Sequence, residues 1–212
     1  EEFAFFASLA KKYGVKIIGG CCGTTPDFIS KTKQECANIV ATATNYVKKS
    51  IICSAYKYVE IDTPKIVGER INPTGKKDFQ KALLEENWGY ILAQAIEQEE
   101  AKADILDVNV GMNGIDEPAI LAKAVDNLQN VTTLPLQIDT TNIIALEKAL
   151  RIYNGKAIIN SVNGTEESLE TVLPLAKKYG AAVIGLTIDE KGISQDIKIR
   201  VNIAKKIINR CL

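Results

Sequence analysis

The chain has 212 residues, with 26 Lys and Arg against 26 Asp and Glu and a formal net charge of zero; that length suits one sizeable domain or two small pieces. Hydrophobic residues at 46% and charged residues at 25% exclude a disordered or collagen-like chain, and the zero balance without a basic block argues against a nucleic-acid or membrane-surface partner. No apolar run approaches the roughly 18 residues of a transmembrane helix and nothing at the start resembles a signal peptide, so the expected compartment is the cytoplasm.

The chain opens on Glu1 without an initiator methionine and closes on Arg210-Cys211-Leu212 inside a predicted helix; it is expected to be a segment of a longer protein. Phe3 to Tyr13 carries an apolar face stopped by Gly14. Val15-Lys16-Ile17-Ile18 reads as a short strand running into Gly19-Gly20-Cys21-Cys22-Gly23-Thr24-Thr25-Pro26. Thr25 and Pro26 then open a helix expected to reach about Val47. From about Lys48 to Thr63 the pattern loses its period. The expected organisation is therefore 1–50 as one unit, 51–64 as a linker and 65–212 as a second unit.

From Lys65 onward, apolar strands alternate with amphipathic helices. Strands are predicted at Ile66–Gly68, Asp104–Val110, Leu134–Ile138, Ala157–Ile159 and Ala181–Ile188. Helices are predicted over Phe79–Ala101, Glu117–Leu128, Ile143–Tyr153, Glu166–Tyr179 and Gln195–Cys211, with Pro174 expected to end or kink the fourth. This alternation is the mark of a parallel α/β fold. Each strand ends in polar groups: Glu69-Arg70-Ile71-Asn72, Asp107-Val108-Asn109, Asp139-Thr140-Thr141-Asn142, Asn160-Ser161-Val162-Asn163 and Thr187-Ile188-Asp189. Five strands ending this way favour a (β/α)8 barrel, whose functional groups converge on one mouth, over a doubly wound sheet, whose crevice uses fewer. Only five strands are present, so the barrel is partial. For each polar residue the competing role is that of a strand-end cap for the next helix or turn; Asn142 and Thr165 suit it well.

The chain contains no histidine, which excludes Ser-His-Asp and Cys-His catalysis and histidine metal ligands. Its five cysteines are an odd set, not a disulfide framework. Cys36, Cys53 and Cys211 read as small buried hydrophobes. The adjacent Cys21 and Cys22, in a glycine-rich turn, suit a metal better than redox chemistry.

Two blocks carry a family resemblance. Gly19-Gly20-Cys21-Cys22-Gly23-Thr24-Thr25-Pro26 resembles the zinc motif near the end of the homocysteine-binding barrel of the cobalamin-dependent methionine synthases. Gly68-Glu69-Arg70-Ile71-Asn72, Leu106 to Gly111, Gln137 to Asn142, Ile159-Asn160-Ser161 and Gly185 to Asp189 are similar to the pterin-binding barrel that follows it. The resemblance implies a partial TIM-type architecture: the last βα unit of one barrel followed by about five βα units of a second. It implies methyl transfer from 5-methyltetrahydrofolate, via cobalamin, to zinc-bound homocysteine.

Cys21 and Cys22 match two of that family's three zinc ligands, with the third expected before residue 1. Two thiolates fall short of the usual zinc set. In the pterin pocket, Asp139 matches the aspartate and Asn160 the asparagine of the family, and Asp107 and Asn109 match its second-strand motif. Glu69, Asn72 and Asp189 are expected in the same pocket. Cobalamin is expected on another module of the longer protein, and the segment alone is expected to be inactive. The alternatives are a different pterin-barrel enzyme, namely a dihydropteroate synthase or a methyltransferase serving a corrinoid protein, or an inactive truncated fragment. Residues 19–26 discriminate against the first two.

Overall fold

The structure, a computed structural model, describes residues 2–40 and 49–211. The chain divides into two compact units, Glu1–Lys48 and Lys49–Leu212. Among the described residues no helix is long and apolar enough to cross a membrane.

In the first unit α1, Glu2–Tyr13, buries Ala7 and Ala10. It stops as expected at Gly14, which takes φ +64, while the Val15 N–H reaches back to the Ala10 carbonyl at 2.9 Å. The strand expected at Val15–Ile18 does not form, and Ile17 is 91% exposed. A strand exists by pairing, and no described residue of this unit pairs with it. Helix α2 runs from Pro26 to Cys36 instead of reaching about Val47. It buries no residue, so nothing offsets the entropy of extending it. Residues 37–40 are not helical, and residues 41–48 lie outside the described ones.

The second unit begins where a linker was expected. Ile51–Cys53 (β1) and Tyr58–Glu60 (β2) form an antiparallel hairpin. Ile52 and Val59 are buried against Ile105 and Ile158. Ser54 Oγ donates to the Thr133 carbonyl at 2.6 Å, and Cys53 exchanges both backbone hydrogen bonds with Lys156 at 3.1 and 2.9 Å. Three-residue strands are too short for a period to emerge from the sequence; it is this burial that makes the segment part of the second unit.

Five parallel strands follow: β3 (Val67–Ile71), β4 (Ile105–Val108), β5 (Leu136–Asp139), β6 (Ile158–Asn163) and β7 (Ala182–Leu186). They pair in simple chain order, β3-β4-β5-β6-β7. A doubly wound sheet reverses its order at a switch point, whereas a barrel never does. The order is therefore that of a barrel, as the alternation predicts.

The helix expected over Phe79–Ala101 is two helices, α3 (Lys77–Leu84) and α4 (Trp88–Glu100). Glu86 takes φ +49, and Asn87 caps α4 by accepting from the Tyr90 N–H at 3.2 Å. An asparagine able to cap outweighs an apolar period that runs across the break. Helices α5 (Glu117–Leu128) and α6 (Ile143–Ile152) fall where the sequence places them. So does α7 (Glu166–Tyr179), which continues through Pro174. Pro174 is exposed, so the carbonyl that its missing N–H leaves free lies on the solvent side. Beyond β7 a small hairpin forms from Ile188–Asp189 (β8) and Gly192–Ile193 (β9), then α8 runs over Ile197–Cys211. One continuous apolar core joins the helices to the sheet; a second, smaller cluster joins the β1/β2 hairpin to the strands.

Candidate functional site

Side chains alternate across a sheet, and the alternation sorts the strand residues onto two faces. Leu106, Val108, Ile138 and Ile159 belong to the core beneath the helices. Their neighbours Ile105, Asp107, Asn109, Gln137, Asp139, Ile158 and Asn160 therefore share the opposite face. Glu69 joins them, because Gly68 and Arg70 on either side of it meet Gln98 of α4. On that inner face the N-terminal positions are apolar and the C-terminal positions are polar.

Register brings the polar groups together. Asp107 lies beside Gln137, and Asp139 beside Asn160. Gln137 Nε2 donates to Asp107 Oδ1, and Asn160 Nδ2 reaches the same oxygen at 3.4 Å. Asn109 Nδ2 donates to Asp139 Oδ2 at 2.8 Å, while its Oδ1 accepts from the Gly111 N–H at 2.8 Å. Asp107 is 3% exposed. Burial pushes its carboxyl up to about 6, helped by the nearby charges of Asp139 and Glu69 and opposed by the hydrogen bonds from Gln137 and Asn160. Four of the expected site residues, Asp107, Asn109, Asp139 and Asn160, thus gather on one face as two adjacent hydrogen-bonded sets, Asn160 with Gln137 on Asp107 and Asn109 on Asp139. Together they offer carboxylate acceptors and amide donors, the set that pairs with the donor–acceptor edge of a nitrogen heterocycle.

The other expected residues lie apart from that group. Asn72 Nδ2 donates to Glu69 Oε1 at 2.6 Å, and Lys76 Nζ donates to Glu69 Oε2 at 3.0 Å. These two form a separate cluster at the end of β3, felt by Asp107 only through the Glu69 charge. Asp189 Oδ1 accepts from the Lys191 N–H at 2.9 Å and closes the β8/β9 turn. Asn142 caps α6 through the Ile144 and Ala145 N–H groups, both at 3.1 Å, and Thr165 caps α7 through Ser168 N–H at 3.2 Å.

The residue that sequence reasoning missed is Gln137, hidden in a strand treated as apolar throughout. Its signal was its place two residues before Asp139, which puts both on one face. Its Oε1 is buried without a hydrogen-bond partner among the described residues, a situation that costs roughly 1–3 kcal/mol. Glu117 was also missed; it accepts from Thr140 Oγ1 just outside the group.

In the first unit, Cys21 to Thr24 form a turn closed by Thr24 N–H to the Cys21 carbonyl at 3.0 Å, with Gly23 at φ +84. A side chain resists that backbone angle and glycine does not. Cys22 and Thr24 edge a cavity of about 310 Å³ with Phe6, Ile18, Phe28 and Thr32. Both thiols are exposed. Among the described residues no three or more His, Cys, Asp or Glu side chains gather as a metal would need. Two thiolates are fewer than the three or four protein ligands zinc takes, so this donor set does not by itself fit the ion.

A singly wound parallel sheet with carboxylates and amides layered at its strand ends is the architecture of a pterin-binding barrel. The family model for pterin binding enzymes matches residues 68–209, and the chain belongs to that family. The model for homocysteine S-methyltransferase matches residues 1–36. The chain is 32% identical over 219 residues to a methionine synthase of Mycobacterium leprae and 32% identical over 211 residues to one of Mycobacterium tuberculosis. Each match covers 96% of this chain but 18% of the relative, so the chain spans under a fifth of their length. Among solved structures, a Xanthomonas albilineans dihydropteroate synthase with 4-aminobenzoic acid superposes with a TM-score of 0.53. That likeness covers 77% of this chain and 62% of that one at 18% identity, and it bears on the fold alone.

Proposed function

We propose that residues 65–211 supply part of the grip on 5-methyltetrahydrofolate in a methyltransferase of the methionine synthase type, and that residues 1–40 belong to its homocysteine-binding part. The observation that carries the reading is the group formed by Asp107, Asn109, Asp139 and Asn160 at the ends of three adjacent strands. The order of the two family matches, homocysteine S-methyltransferase before pterin-binding enzyme, supports the methionine synthase type over a pterin barrel standing alone.

In this reading Asp139 accepts two parallel N–H donors from the aminopyrimidinone edge of the pterin. Asn109, already donating to Asp139 Oδ2, orients that carboxylate, and Asn160 presents its amide from the next strand. Asp107 lies deeper and meets the ring as an acceptor when ionised and as a donor when protonated. Cobalamin is the carrier that takes the methyl group in such enzymes, and a further module of the protein would hold it. Cys21 and Cys22 alone do not make a zinc site, because two thiolates fall short of the three or four protein ligands the ion takes. The chain contributes to binding and orientation and has no complete catalytic set of its own; the expected compartment remains the cytoplasm.

The test is calorimetric titration of methyltetrahydrofolate into the full-length protein, wild type and Asp139→Asn. The substitution keeps the shape but turns one acceptor oxygen into a donor that opposes the ring N–H. A charge-assisted bond contributes roughly 1.5–3 kcal/mol, so the affinity should fall on the order of tenfold or more. Equal affinities would make Asp139 a structural strand-end residue and end this reading.

A further inference from the structure

Gln137 of β5 sits beside Asp107 of β4 in the sheet register and is 5% exposed. One end of its amide, Nε2, donates to Asp107 Oδ1. The other, Oε1, is buried with no hydrogen-bond partner among the described residues. Buried polar atoms without partners are uncommon, because burial removes the water that would otherwise serve them. An unbranched apolar side chain fills the same volume without that cost, so packing alone does not account for the amide.

What an amide has and an apolar chain lacks is a donor and an acceptor at interchangeable positions. We infer that Gln137 is a positioning residue of this site, which fixes the ionised carboxylate of Asp107 through its N–H end and, by a half-turn of the amide, accepts from the protonated carboxyl on its unused oxygen. Asp107 then keeps one position on the inner face in either charge state, and its hydrogen-bonding character towards a ring edge changes with the proton alone. The inference rests on the pterin reading only for the identity of that ring.

The charged groups facing Asp107 are Asp139 from β5 and Glu69 from β3, the latter paired with Lys76; β6 supplies the neutral Asn160. Burial and the two carboxylates favour the protonated form, whereas Gln137 and Asn160 favour the ionised one. Taking away the Gln137 donor leaves the first set less opposed.

The experiment follows the Asp107 carboxyl by carbon-13 NMR titration in the ligand-free protein and, in the same samples, the pH profile of methyltetrahydrofolate affinity. In Gln137→Met, whose fold is checked by circular dichroism, the Asp107 midpoint should rise from about 6 by about one pH unit or more, and the ligand profile should move with it. Gln137→Glu retains the length and places a second carboxyl against Asp107. The two should then share a proton and titrate in two separated steps. A wild-type midpoint in Gln137→Met, or a single unshifted step in Gln137→Glu, overturns the inference. If the full-length wild type binds no methyltetrahydrofolate, the pterin reading fails, and the ligand-free titration still decides the role of Gln137.

Discussion

The inner face of the five-stranded sheet has two ends that differ in chemistry over two residues of chain. At the N-terminal end Ile105 and Ile158 are buried with Ile52 and Val59 of the hairpin. Two residues further on, the same strands present Asp107 and Asn160, the latter within reach of Asp107 Oδ1. The apolar end is closed by a plug of this chain's own making, and the polar end carries a buried carboxyl with a raised pKa. The pleat makes this separation possible, because residues two apart lie on one face about 7 Å apart along the strand. Stability can thus reside at one end and ligand chemistry at the other. The comparison predicts that substitutions at the two ends have different consequences.

The largest effect belongs to the apolar end. Ile105 is 2% exposed, and Ile105→Ala should lower unfolding stability by about 2–5 kcal/mol, through lost transfer energy and the cavity left behind. Urea denaturation measures this. If the ends are separable, the folded variant should bind methyltetrahydrofolate within about twofold of wild type, a difference of about 0.4 kcal/mol. A much larger loss of affinity at full folding would mean that the plug and the polar layer are one unit.

A smaller effect of opposite sign is expected at the polar end. Burial holds the folded-state pKa of Asp107 at about 6, above the ordinary aspartate value of 3.8. The stability this carboxyl contributes is therefore fully present below about pH 4 and is lost as the pH rises through about 6. Asp107→Asn removes the ionisation, so it should match wild type near pH 3.5 and be more stable by roughly 1–3 kcal/mol at pH 7–8. Thermal or urea unfolding across that range gives the answer. A variant less stable than wild type at pH 8 would show that the hydrogen bonds to the charged form outweigh its desolvation.

Much of this polar end was legible in the sequence, and the reason is geometric. Asp107, Asp139 and Asn160 each terminate a short apolar run, and parallel strands in chain order align their ends. Gln137 escaped because a single polar residue inside such a run is easily averaged into it, and only the pleat with Asp139 reveals its face. The β1/β2 hairpin escaped for another reason. Its strands are three residues long, and their burial depends on Ile105 and Ile158 far along the chain. The split of the long helix at Glu85–Asn87 was concealed by an apolar period that continues across it. The strand expected at Val15–Ile18 has the converse problem, since apolar content suggests a strand but only a partner makes one.

Asp189 yields the smallest predicted effect and places the outer limit of the site. Like Asp139 it follows an apolar strand, and on that ground it was expected in the pterin pocket. In the structure its carboxylate closes the β8/β9 turn through the Lys191 N–H at 2.9 Å. Asp189→Asn separates the two roles, because the amide oxygen still accepts that N–H while the charge disappears. If the turn is its whole task, methyltetrahydrofolate affinity should stay within about twofold of wild type, or about 0.4 kcal/mol. Asp139→Asn, the same chemical change at the other strand end, should cost about tenfold in the same titration. A tenfold loss at both positions would extend the ligand's contacts from the layer formed by β4, β5 and β6 to the hairpin beyond β7, and the separation between turn and pocket would fall.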